Sequence, residues 1–548
     1  MYAQAMKRHE DGRTVQESRS LYGFVSLVYL IALLAVGTAL VGHFGFPLDD
    51  SWIHQSVARN FATFGSLGYL PHERSSGSTS LLWTLILSCN YTVFPNVSPV
   101  IFTLVVNAAL LIISGLLLLR LALRDGLGPV PAMILAAAPA FDGNYVWLAF
   151  TGMEHVLFVT LSLGSVLLWL GAPAQERSWG RAVGSGICMG LLTMTRPEAV
   201  VLPPILLACS VVFPGMRKFT PAQTAVAAAL VLACAAIPIA VNLYTAHSPL
   251  PVTFKGRQFL FAGHGDNLTR RALLVAQWLA RPFKAVMVFD GLGVGRTRQM
   301  AMLLAFLGLS GLALFGLRAL IQQRRWLTLI ICSWATLHAV LFAIALPASG
   351  HGGRYQPLFL ALTLALPAFG ITALLSRRRL LSGVVPTASL AACGAVSLTL
   401  WHAVLAQGVD HISQTHGAVS AWLDTHLPHE HFAAFDIGRI GYDRVTHGEA
   451  SLIDLGGLTD PAYIDFLTSR QVSRYLAARS IHYLVLPVDT RGESGIGQEL
   501  GLVDVATVHR RVLFRACSPE GDWQIPWSET RNAFQCQEVD GVEFEPAP

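Results

Sequence analysis

Charged residues are scarce in this chain. Only 13% of its 548 residues are Asp, Glu, Lys or Arg, whereas a soluble globular protein carries about 25%. Hydrophobic residues make up 53%, and apolar runs of membrane-spanning length recur through most of the sequence. The shortage of charge excludes an ordinary soluble enzyme and indicates an integral membrane protein.

Cysteine motifs that bind metals are also lacking. Most of the eight cysteines lie inside apolar runs, where a thiol behaves as a small hydrophobic group. No CxxC pair or Cys/His ligand spacing occurs, so a structural zinc site is not expected. Cys517 and Cys536 lie in the polar C-terminal region, and a disulfide between them is one open option if that region is outside the cytoplasm.

Other signals are missing as well. Four basic residues precede the first apolar run without a small-residue cleavage site, so we expect a retained first span rather than a cleaved signal. No internal repeat or long low-complexity linker is visible. The segment Asp436–Gly441 lacks the full GxGxxG spacing, which argues against a dinucleotide site. No nucleic-acid partner is expected.

Eleven apolar runs predict transmembrane helices. They are 21–43, 99–120, 129–141, 153–171, 182–194, 199–213, 222–243, 299–318, 326–347, 355–375 and 384–405. The run 80–94 is also apolar, but counting it as a span would place the triple arginine 377–379 outside, against the cytoplasmic preference of Lys and Arg. We therefore expect a helix lying along the interface at 80–94. The basic stretch 268–288 predicts an amphipathic interfacial helix.

This topology leaves residues 1–20 in the cytoplasm and makes 21–408 the membrane domain, with large outer loops at 44–98 and 244–298. The polar region 409–548 then lies outside the cytoplasm. Short apolar segments in it predict buried strands at 431–436, 451–454 and 481–486, with a helix at 463–478. The expected fold is therefore an α-helical polytopic membrane domain followed by an extracytoplasmic α/β domain.

Two adjacent aspartates, Asp49 and Asp50, follow the first span. Adjacent carboxylates at a membrane boundary are costly unless they bind a cation, pair with a base or do chemistry. A helix cap would explain one of them, but the nearby Arg59 and Glu73 favour function. The pair predicts a general base or a nucleophile. A divalent cation such as Mg²⁺, Mn²⁺ or Ca²⁺ at Asp50 is a further option.

More polar residues gather at the outer ends of the predicted helices, which indicates an aqueous cavity on that side. For Glu154 and Glu198 a helix N-terminus alone is an equally good explanation. Lys255 and Arg257 suit a phosphate, or else form an ordinary basic loop. The expected phosphate-binding residues are Arg196, Lys255, Arg257 and Arg354, and the expected substrate-binding residues are Arg59, Glu73, Glu154, Glu198, His351 and Tyr355.

A series of short motifs resembles the membrane glycosyltransferases with the GT-C fold, above all the arabinofuranosyltransferases of mycobacterial cell-wall assembly and their bacterial relatives. The first outer loop carries Asp49-Asp50, Arg59-Asn60, Gly65, Gly77-Ser78-Thr79 and Leu82-Trp83. Further blocks follow in the same order at Gly152-Met153-Glu154, Arg196-Pro197-Glu198, Thr253-Phe254-Lys255, Gly353-Arg354-Tyr355 and Asp436 to Tyr442. The chain departs from the pattern at His54 and Gln55, where relatives more often have an aromatic residue and Arg.

The resemblance implies an enzyme of the bacterial inner membrane. It would transfer a sugar, arabinofuranose being one candidate, from a polyprenyl-phosphate donor to a glycan, lipid or protein acceptor outside the cytoplasm. An outward-facing site fits a lipid-carried donor because nucleotide sugars are cytoplasmic. In this hypothesis Asp49 deprotonates the acceptor, Asp50 orients it or helps to hold a cation, and Lys255, Arg257 and Arg354 bind the leaving phosphate.

Two other classes of function compete with this hypothesis. A transporter or flippase of polyprenyl-linked sugar would use the carboxylates as ion sites, but such proteins tend to show internal repeats and charge at the membrane midplane. A non-catalytic scaffold of envelope assembly would use the α/β domain to bind glycan. A reconstituted assay separates them, since only a transferase releases free polyprenyl phosphate.

Overall fold

The architecture is that of a computed structural model of the chain. It describes residues 2–71, 75, 77–171, 178–212, 219–261, 272, 296–345, 351–426, 428–444, 452–469, 471–479, 481, 483–485 and 512–514. Glu73, Cys517 and Cys536 lie outside the described residues, and so does the predicted interfacial helix at 268–288 except for residue 272.

Among the described residues, seven helical segments are long and apolar enough to cross a membrane: Arg19–Leu40, Pro99–Arg124, Pro221–Ala246, Leu303–Gln322, Trp326–Ala345, Pro357–Leu374 and Arg379–Thr425. A bent pair, Pro129–Phe141 with Gly143–Phe150, forms an eighth candidate with a 65° kink. Shorter apolar helices cover Leu81–Val93, His155–Leu170 and Pro197–Val212. The chain is therefore a multi-pass helical membrane protein.

We number the described helices in chain order. They are α1 Tyr2–Gly37, α2 Asp50–Phe64, α3 Leu81–Val93, α4 Pro99–Arg124, α5 Pro129–Ala137, α6 Gly143–Trp147, α7 His155–Leu170, α8 Trp179–Thr195, α9 Leu202–Val212, α10 Pro221–Ala246, α11 Val252–Phe261, α12 Arg296–Gln322, α13 Trp326–Ala345, α14 Pro357–Thr363, α15 Ala365–Leu374, α16 Arg379–His411, α17 Ala418–His426, α18 Gly438–Arg444, α19 Pro461–Thr468 and α20 Val472–Ala478. A π-helical turn, Ile412–Gly417, joins α16 to α17.

Each of the eleven predicted membrane runs coincides with a helix or with a pair of successive helices, so the helical class of the membrane portion is confirmed. The predicted interfacial segment 80–94 is α3. Its Trp83 and Leu87 are fully buried and pack with Ala58 of α2 and Leu157 of α7. This helix thereby supports the outer loop that carries the aspartate pair.

The two ends of the membrane portion differ in their polar contacts. At one end, the Asp125 carboxylate accepts hydrogen bonds from the amides of Leu327 (3.1 Å) and Thr328 (2.9 Å), and Arg325 donates to the Asp125 carbonyl at 2.7 Å. Helix α13 begins there and runs for 20 residues, which corresponds to about 30 Å. Helix α13 ends near the loop with Arg354, which contacts Asp50. The contact between Asp125 and residues 325–328 therefore lies about one helix length from the aspartate pair.

The C-terminal domain is built on a parallel sheet of four described strands. They are β1 Phe432–Ala434, β2 Leu452–Asp454, β3 Tyr483–Val485 and β4 Val512–Phe514, in the order β2-β1-β3-β4. The three strands predicted from the sequence are present, and β4 was not predicted. The single helix expected at 463–478 is instead two helices, since α19 ends at Thr468 and α20 begins at Val472.

Two glycines let the C-terminal domain approach α11 closely. A β-carbon on Gly256 of α11 would collide with the backbone carbonyl of Gly457, which follows β2. Beside them, the Thr253 hydroxyl donates to the Leu458 carbonyl at 3.0 Å. This contact fixes the orientation of α11, which carries two of the predicted cations.

Candidate active site

Asp50 opens helix α2, and its carboxylate meets two arginines from distant parts of the chain. Arg354 Nη2 donates a hydrogen bond to Asp50 Oδ2, and Arg257 Nη2 lies 3.8 Å from the same oxygen. The Asp50 side chain is 25% exposed, whereas that of Arg354 is only 6% exposed. One accessible carboxylate is therefore shared by two guanidinium groups.

The glycine-rich approach to Arg354 sets its position. Gly352 and Gly353 have φ angles of 62° and 66°, in the left-handed region that favours glycine. A β-carbon on Gly352 would press against the Trp147 ring. The sequence predicted an anionic partner for Arg354, and in the structure the group that it contacts is Asp50.

The ring of Tyr355 collects three guanidinium groups. Those of Arg354, Arg257 and Arg196 lie 5.1, 5.2 and 5.9 Å from the ring centroid, a distance at which the ring face attracts cations. Burial by itself would raise the pKa of Tyr355, but Arg257 and Arg354 outweigh it and hold that pKa below its ordinary value. Arg196, Arg257, Arg354 and Tyr355 thus form one cationic wall beside Asp50.

Glu154 is presented by a tight loop before α7. Trp83 Nε1 donates to the Gly152 carbonyl at 3.1 Å, and Asn107 Nδ2 donates to the Met153 carbonyl at 3.2 Å. The Glu154 side chain is buried, and its Oε2 atom accepts no hydrogen bond from the residues that the structure describes. A buried carboxylate oxygen without a donor is well placed to accept a hydroxyl from a bound substrate.

Arg196 lies between two glutamates at the end of α8. Its Nε donates to Glu198 Oε1 at 2.6 Å, and its Nη1 lies 3.5 Å from Glu154 Oε1. His338 in the middle of α13 reaches Glu198 with Nε2 at 3.2 Å. Burying this many charges is tolerated only when they are paired, and the pairs tie α8 and α13 to the loop before α7.

His54 and Gln55, where the chain departs from its resemblance, are both buried in α2. His54 Nε2 lies 3.7 Å from Glu154 Oε2, and its Nδ1 is 3.3 Å from the Ser78 hydroxyl. Burial lowers the pKa of His54 although the Glu154 carboxylate opposes this effect. Gln55 accepts a hydrogen bond from the Tyr91 hydroxyl at 2.8 Å. The imidazole is therefore a neutral partner of Glu154 at neutral pH.

Asp49 has a different environment from its neighbour. Its carboxylate accepts hydrogen bonds from the backbone amides of Gly438 (2.6 Å) and Arg439 (2.8 Å), and it pairs with His416 Nδ1 at 2.9 Å. A β-carbon on Gly438 would collide with the Asp49 backbone. Asp49 therefore fastens the first outer loop to the start of α18 in the C-terminal domain.

Aromatic and basic side chains extend this contact between α2 and α18. The Arg59 guanidinium lies 4.4 Å from the centre of the Tyr442 ring, and Arg439 lies 4.4 Å from that of Trp52. The Tyr69 hydroxyl donates to the Ile437 carbonyl. The structure thus places Arg59, which the sequence assigned to substrate binding, in the contact between the two domains.

Lys255 and His351 are the remaining predicted residues. Lys255 is exposed and lines a separate cavity between α11 and the C-terminal domain, whereas Arg257 faces Asp50. His351 begins a 3₁₀ turn, Gly352 follows it, and the His351 side chain is outside the description. The sequence predicted that Lys255, Arg257 and Arg354 surround one phosphate, but the structure brings only Arg257 and Arg354 together.

An apolar groove of about 230 Å³ lies next to the buried charges. Its lining comes from the loop before α3, the end of α8 and the second half of α10, and includes Val57, Leu67, Met194, Val200 and Ile239. Val200 and Ile239 are also 50% and 46% exposed on the outer surface of the bundle. The groove is therefore suited to hydrocarbon rather than to a polar ligand.

Comparison with known proteins bears on the fold. Residues 407–534 match the profile of a domain of unknown function, DUF8728. The curated proteins contain no match. The crystal structure of ArnT from Cupriavidus metallidurans in the apo state is similar at 13% identity and a TM-score of 0.55, over 90% of this chain and 96% of that chain. The chain has the GT-C fold.

Two further structures are similar at lower scores. The Archaeoglobus fulgidus oligosaccharyltransferase in complex with Zn and sulfate matches at 14% identity and a TM-score of 0.49, over 83% of this chain and 67% of that chain. Arabinofuranosyltransferase AftD from Mycobacteria matches at 16% identity and a TM-score of 0.40, over 87% of this chain and 38% of that chain.

Three residues of the candidate site were not predicted as site residues. His338 and His416 lie in or next to apolar helices, where an ionisable residue is itself a signal of function. The sequence analysis placed Asp436 at the end of a predicted strand, before a segment unlike a dinucleotide site. Burial raises the pKa of Asp436 to about 6, His416 opposes this rise, and Asp49 and Asp50 add to it. Asp436 therefore adds a third carboxylate to the aspartate pair.

A divalent cation at Asp50, which the sequence left open, does not fit the described residues of the candidate site. The carboxylate is already held by Arg354 and approached by Arg257, and two cations beside it disfavour a third. No group of three His, Cys, Asp or Glu side chains among the described residues is arranged to hold a metal. We therefore derive no step through a metal ion.

Proposed function

We propose that this protein is a membrane glycosyltransferase that moves a sugar from a polyprenyl-phosphate donor to an acceptor. The observation that carries the proposal is the single carboxylate shared by two guanidinium groups, Asp50 with Arg354 and Arg257. The two arginines outnumber the one carboxylate that both of them contact. Arginine is also the side chain best shaped to hold a phosphate through two parallel hydrogen bonds.

The donor would be bound in two parts. The phosphate occupies the cationic wall of Arg196, Arg257, Arg354 and Tyr355, and the prenyl chain lies in the adjoining apolar groove. A groove of hydrocarbon character next to a cationic wall matches an amphipathic donor with one phosphate and a long chain. The GT-C fold supports the same class of reaction.

Donor binding would also activate the base. In the free protein, Arg354 and Arg257 engage the Asp50 carboxylate. A phosphate that takes over Arg354 and Arg257 leaves the Asp50 carboxylate free to accept a proton. This exchange is why we assign the general base to Asp50, whereas the sequence alone suggested Asp49.

In the proposed step, one bond forms and one bond breaks at the anomeric carbon of the sugar. The acceptor hydroxyl passes its proton to Asp50, and the acceptor oxygen forms a bond to the anomeric carbon. The bond between that carbon and the phosphate oxygen breaks, and its electron pair leaves on the polyprenyl phosphate. Arg257 and Arg354 stabilise the negative charge that develops on this oxygen. Such electrostatic stabilisation is usually the largest single contribution to an enzyme's rate enhancement.

Asp49 has a positioning role in this proposal. Its three hydrogen-bond partners hold the carboxylate on α18. Its removal would loosen the start of α2, where Asp50 is the next residue. Glu154, with one buried oxygen lacking a donor, is proposed to accept a hydroxyl of the transferred sugar, and its partners Arg196 and Glu198 hold it in place.

The proposed membrane and the proposed side of the active site both follow from where Lys and Arg lie among the connections between helices. The basic connections at Arg324, Arg325 and 377–379 would face the cytoplasm, which puts the site and the C-terminal domain on the other side of a bacterial inner membrane. The motifs shared with arabinofuranosyltransferases make arabinofuranose the first sugar to test.

The test is a reconstitution in liposomes with synthetic polyprenyl-phosphate sugars, beginning with arabinofuranose, and a mixture of glycan, glycolipid and peptide acceptors. A transferase releases free polyprenyl phosphate and places labelled sugar on an acceptor. Release that depends on Asp50 supports the proposal. Movement of intact sugar-lipid across the bilayer without release would instead identify a flippase.

A further inference from the structure

A second, larger cavity lies on the other side of α11. Its volume is about 680 Å³, within the roughly 300–1,000 Å³ of small-molecule sites. Its walls come from three separate parts of the chain: the first outer loop with Tyr69 and Ser75, the α10–α11 connection, and the C-terminal domain around Thr459 and Asp465. The C-terminal domain is therefore needed to form this cavity.

The lining of this cavity suits a neutral, hydroxyl-rich ligand. Lys255 and Arg479 contribute two positive charges, and Asp460 and Asp465 contribute two negative charges, so the formal charges cancel. Tyr244 stands at the wall with 62% of its surface exposed. An exposed tyrosine offers a flat apolar face together with a hydroxyl, and separated ammonium and carboxylate groups provide donors and acceptors for several hydroxyls.

Two of these charged groups are available to a ligand. Neither Lys255 nor Asp465 forms an ion pair or a side-chain hydrogen bond with another residue that the structure describes, and both are exposed. Asp460, in contrast, caps α19 by accepting from the amides of Ala462 (2.9 Å) and Tyr463 (3.3 Å). The Arg479 guanidinium lies 5.4 Å from the centroid of the Tyr475 ring, so Lys255 and Asp465 are the charged contacts left to a ligand.

The cavity also adjoins the proposed donor site. Ser75 and Leu250 line both this cavity and the apolar groove, so the two spaces share a wall. On α11, Lys255 faces the cavity and Arg257, two residues later, faces Asp50. Two residues correspond to just over half a helical turn, so the cavity and Asp50 lie on opposite sides of α11.

We infer that this cavity binds the acceptor, and that the acceptor is a neutral oligosaccharide. The inference rests on the proposed function, since it names the acceptor of the same reaction. A chain of a few sugars held by Tyr244, Lys255 and Asp465 spans the width of α11 and brings its terminal hydroxyl to Asp50. Lys255 thereby recognises the acceptor rather than the donor phosphate.

The test measures binding without turnover. The full chain in lipid nanodiscs, without donor, is titrated with fluorescent tetrasaccharides of arabinofuranose and of mannose, a uronic acid tetrasaccharide and a tetrapeptide amide. We expect a neutral tetrasaccharide to bind, and Lys255→Met and Tyr244→Ala each to weaken it about tenfold, the effect of one lost hydrogen bond to a charged or polar group. Arg474→Met is the control, because Arg474 is exposed on α20 and outside the cavity, and it should bind as the wild type does.

The inference is overturned if no neutral saccharide binds, if only the uronic acid or the peptide binds, or if Lys255→Met and Tyr244→Ala bind as tightly as Arg474→Met. Donor cleavage is measured separately on the same preparation. Its absence would contradict the proposed function, whereas saccharide binding that ignores the cavity variants would contradict the acceptor site.

Discussion

At the scale of single residues, two neighbouring aspartates have different partners. Asp49 is held by backbone amides of α18 and by His416, whereas Asp50 is shared by Arg354 and Arg257. A carboxylate fixed by a domain contact is a structural fastener. A carboxylate held by arginines that could transfer to a phosphate is the one that we propose as the base.

Replacing Arg354 by lysine should separate charge from shape. Lysine keeps the positive charge but loses the planar fork that reaches Asp50 and the Tyr355 hydroxyl (3.2 Å). We expect kcat/KM for the polyprenyl-phosphate donor to fall about 10- to 100-fold, as for a lost hydrogen bond to a charged group. Arg325→Lys, at the other end of α13, is the matched control, and equal activity of the two variants would contradict the assignment.

The stability of the protein should depend on pH through Asp436. Burial raises the pKa of Asp436 to about 6, with His416 opposing and Asp49 and Asp50 adding to the rise, while the unfolded chain ionises at about 3.9. A raised pKa favours the folded state below pH 4, and this contribution is lost as pH increases through 6. Asp436→Asn removes the loss, so its melting temperature should exceed that of the wild type by a few degrees more at pH 7.5 than at pH 4.

The measurement is thermal unfolding of the full chain in detergent at the two pH values. Asp465→Asn, an exposed aspartate of α19, is the matched control. The account would be contradicted if the difference in melting temperature between Asp436→Asn and the wild type stays constant or shrinks as pH rises. Asp436 would then not be a buried carboxylate with a raised pKa.

Single residues show how far the sequence could go. The aspartate pair and the cations Arg257 and Arg354 were predictable because charge at a membrane boundary is costly without a function. The partner of Asp49 was not, since the amide of Gly438 is 389 residues away and looks like part of an ordinary turn. Lys255 was grouped with Arg257 because they are close in sequence, but the helical rotation between them directs them to different cavities.

At the scale of elements, α11 is the partition between the proposed donor and acceptor sites. Its position depends on the contact of Gly256 with Gly457 and on the hydrogen bond from Thr253 to Leu458. These contacts carry no chemistry of their own. They determine which face of α11 turns toward Asp50.

A methyl group at Gly256 should therefore damage the enzyme without removing any charge. Gly256→Ala forces the C-terminal domain away from α11, and such overpacking costs about 1–3 kcal/mol. We expect a lower melting temperature and slower transfer, measured on the same preparation. Gly308→Ala is the control, because nothing lies within 4 Å of a β-carbon there, and alanine should be neutral or stabilise α12 by up to about 1 kcal/mol. Equal behaviour of the two variants would mean that the Gly256 contact does not position the site.

At the scale of the whole molecule, the basic connections and the proposed active site lie at opposite ends of the membrane portion. The eleven runs, the α/β class of the C-terminal domain and three of its strands could be predicted from periodicity and composition. The break between α19 and α20 could not, because the helical pattern continues across it. Nor could the docking of the C-terminal domain, which depends on contacts between residues hundreds of positions apart.

The proposed sidedness can be checked with fusions to alkaline phosphatase, which is active only outside the cytoplasm. A fusion after Pro548 should be active, because the C-terminal domain is proposed to lie outside. A fusion after Ser376, beside the triple arginine, should be inactive. Activity in the second fusion and not in the first would invert the topology and remove the reason for a lipid-carried donor.

The most direct test of the central claim compares Asp50→Asn with Asp49→Asn in nanodiscs, using the rate at which polyprenyl phosphate is released from a donor that the wild type cleaves. We predict that Asp50→Asn lowers kcat by about 10²–10⁴, the contribution of a general base, while donor binding persists. Asp49→Asn, which loses a positioning contact, should retain most of that rate. Full activity of Asp50→Asn, or a loss in Asp49→Asn as deep as that in Asp50→Asn, would contradict the assignment of Asp50 as the base.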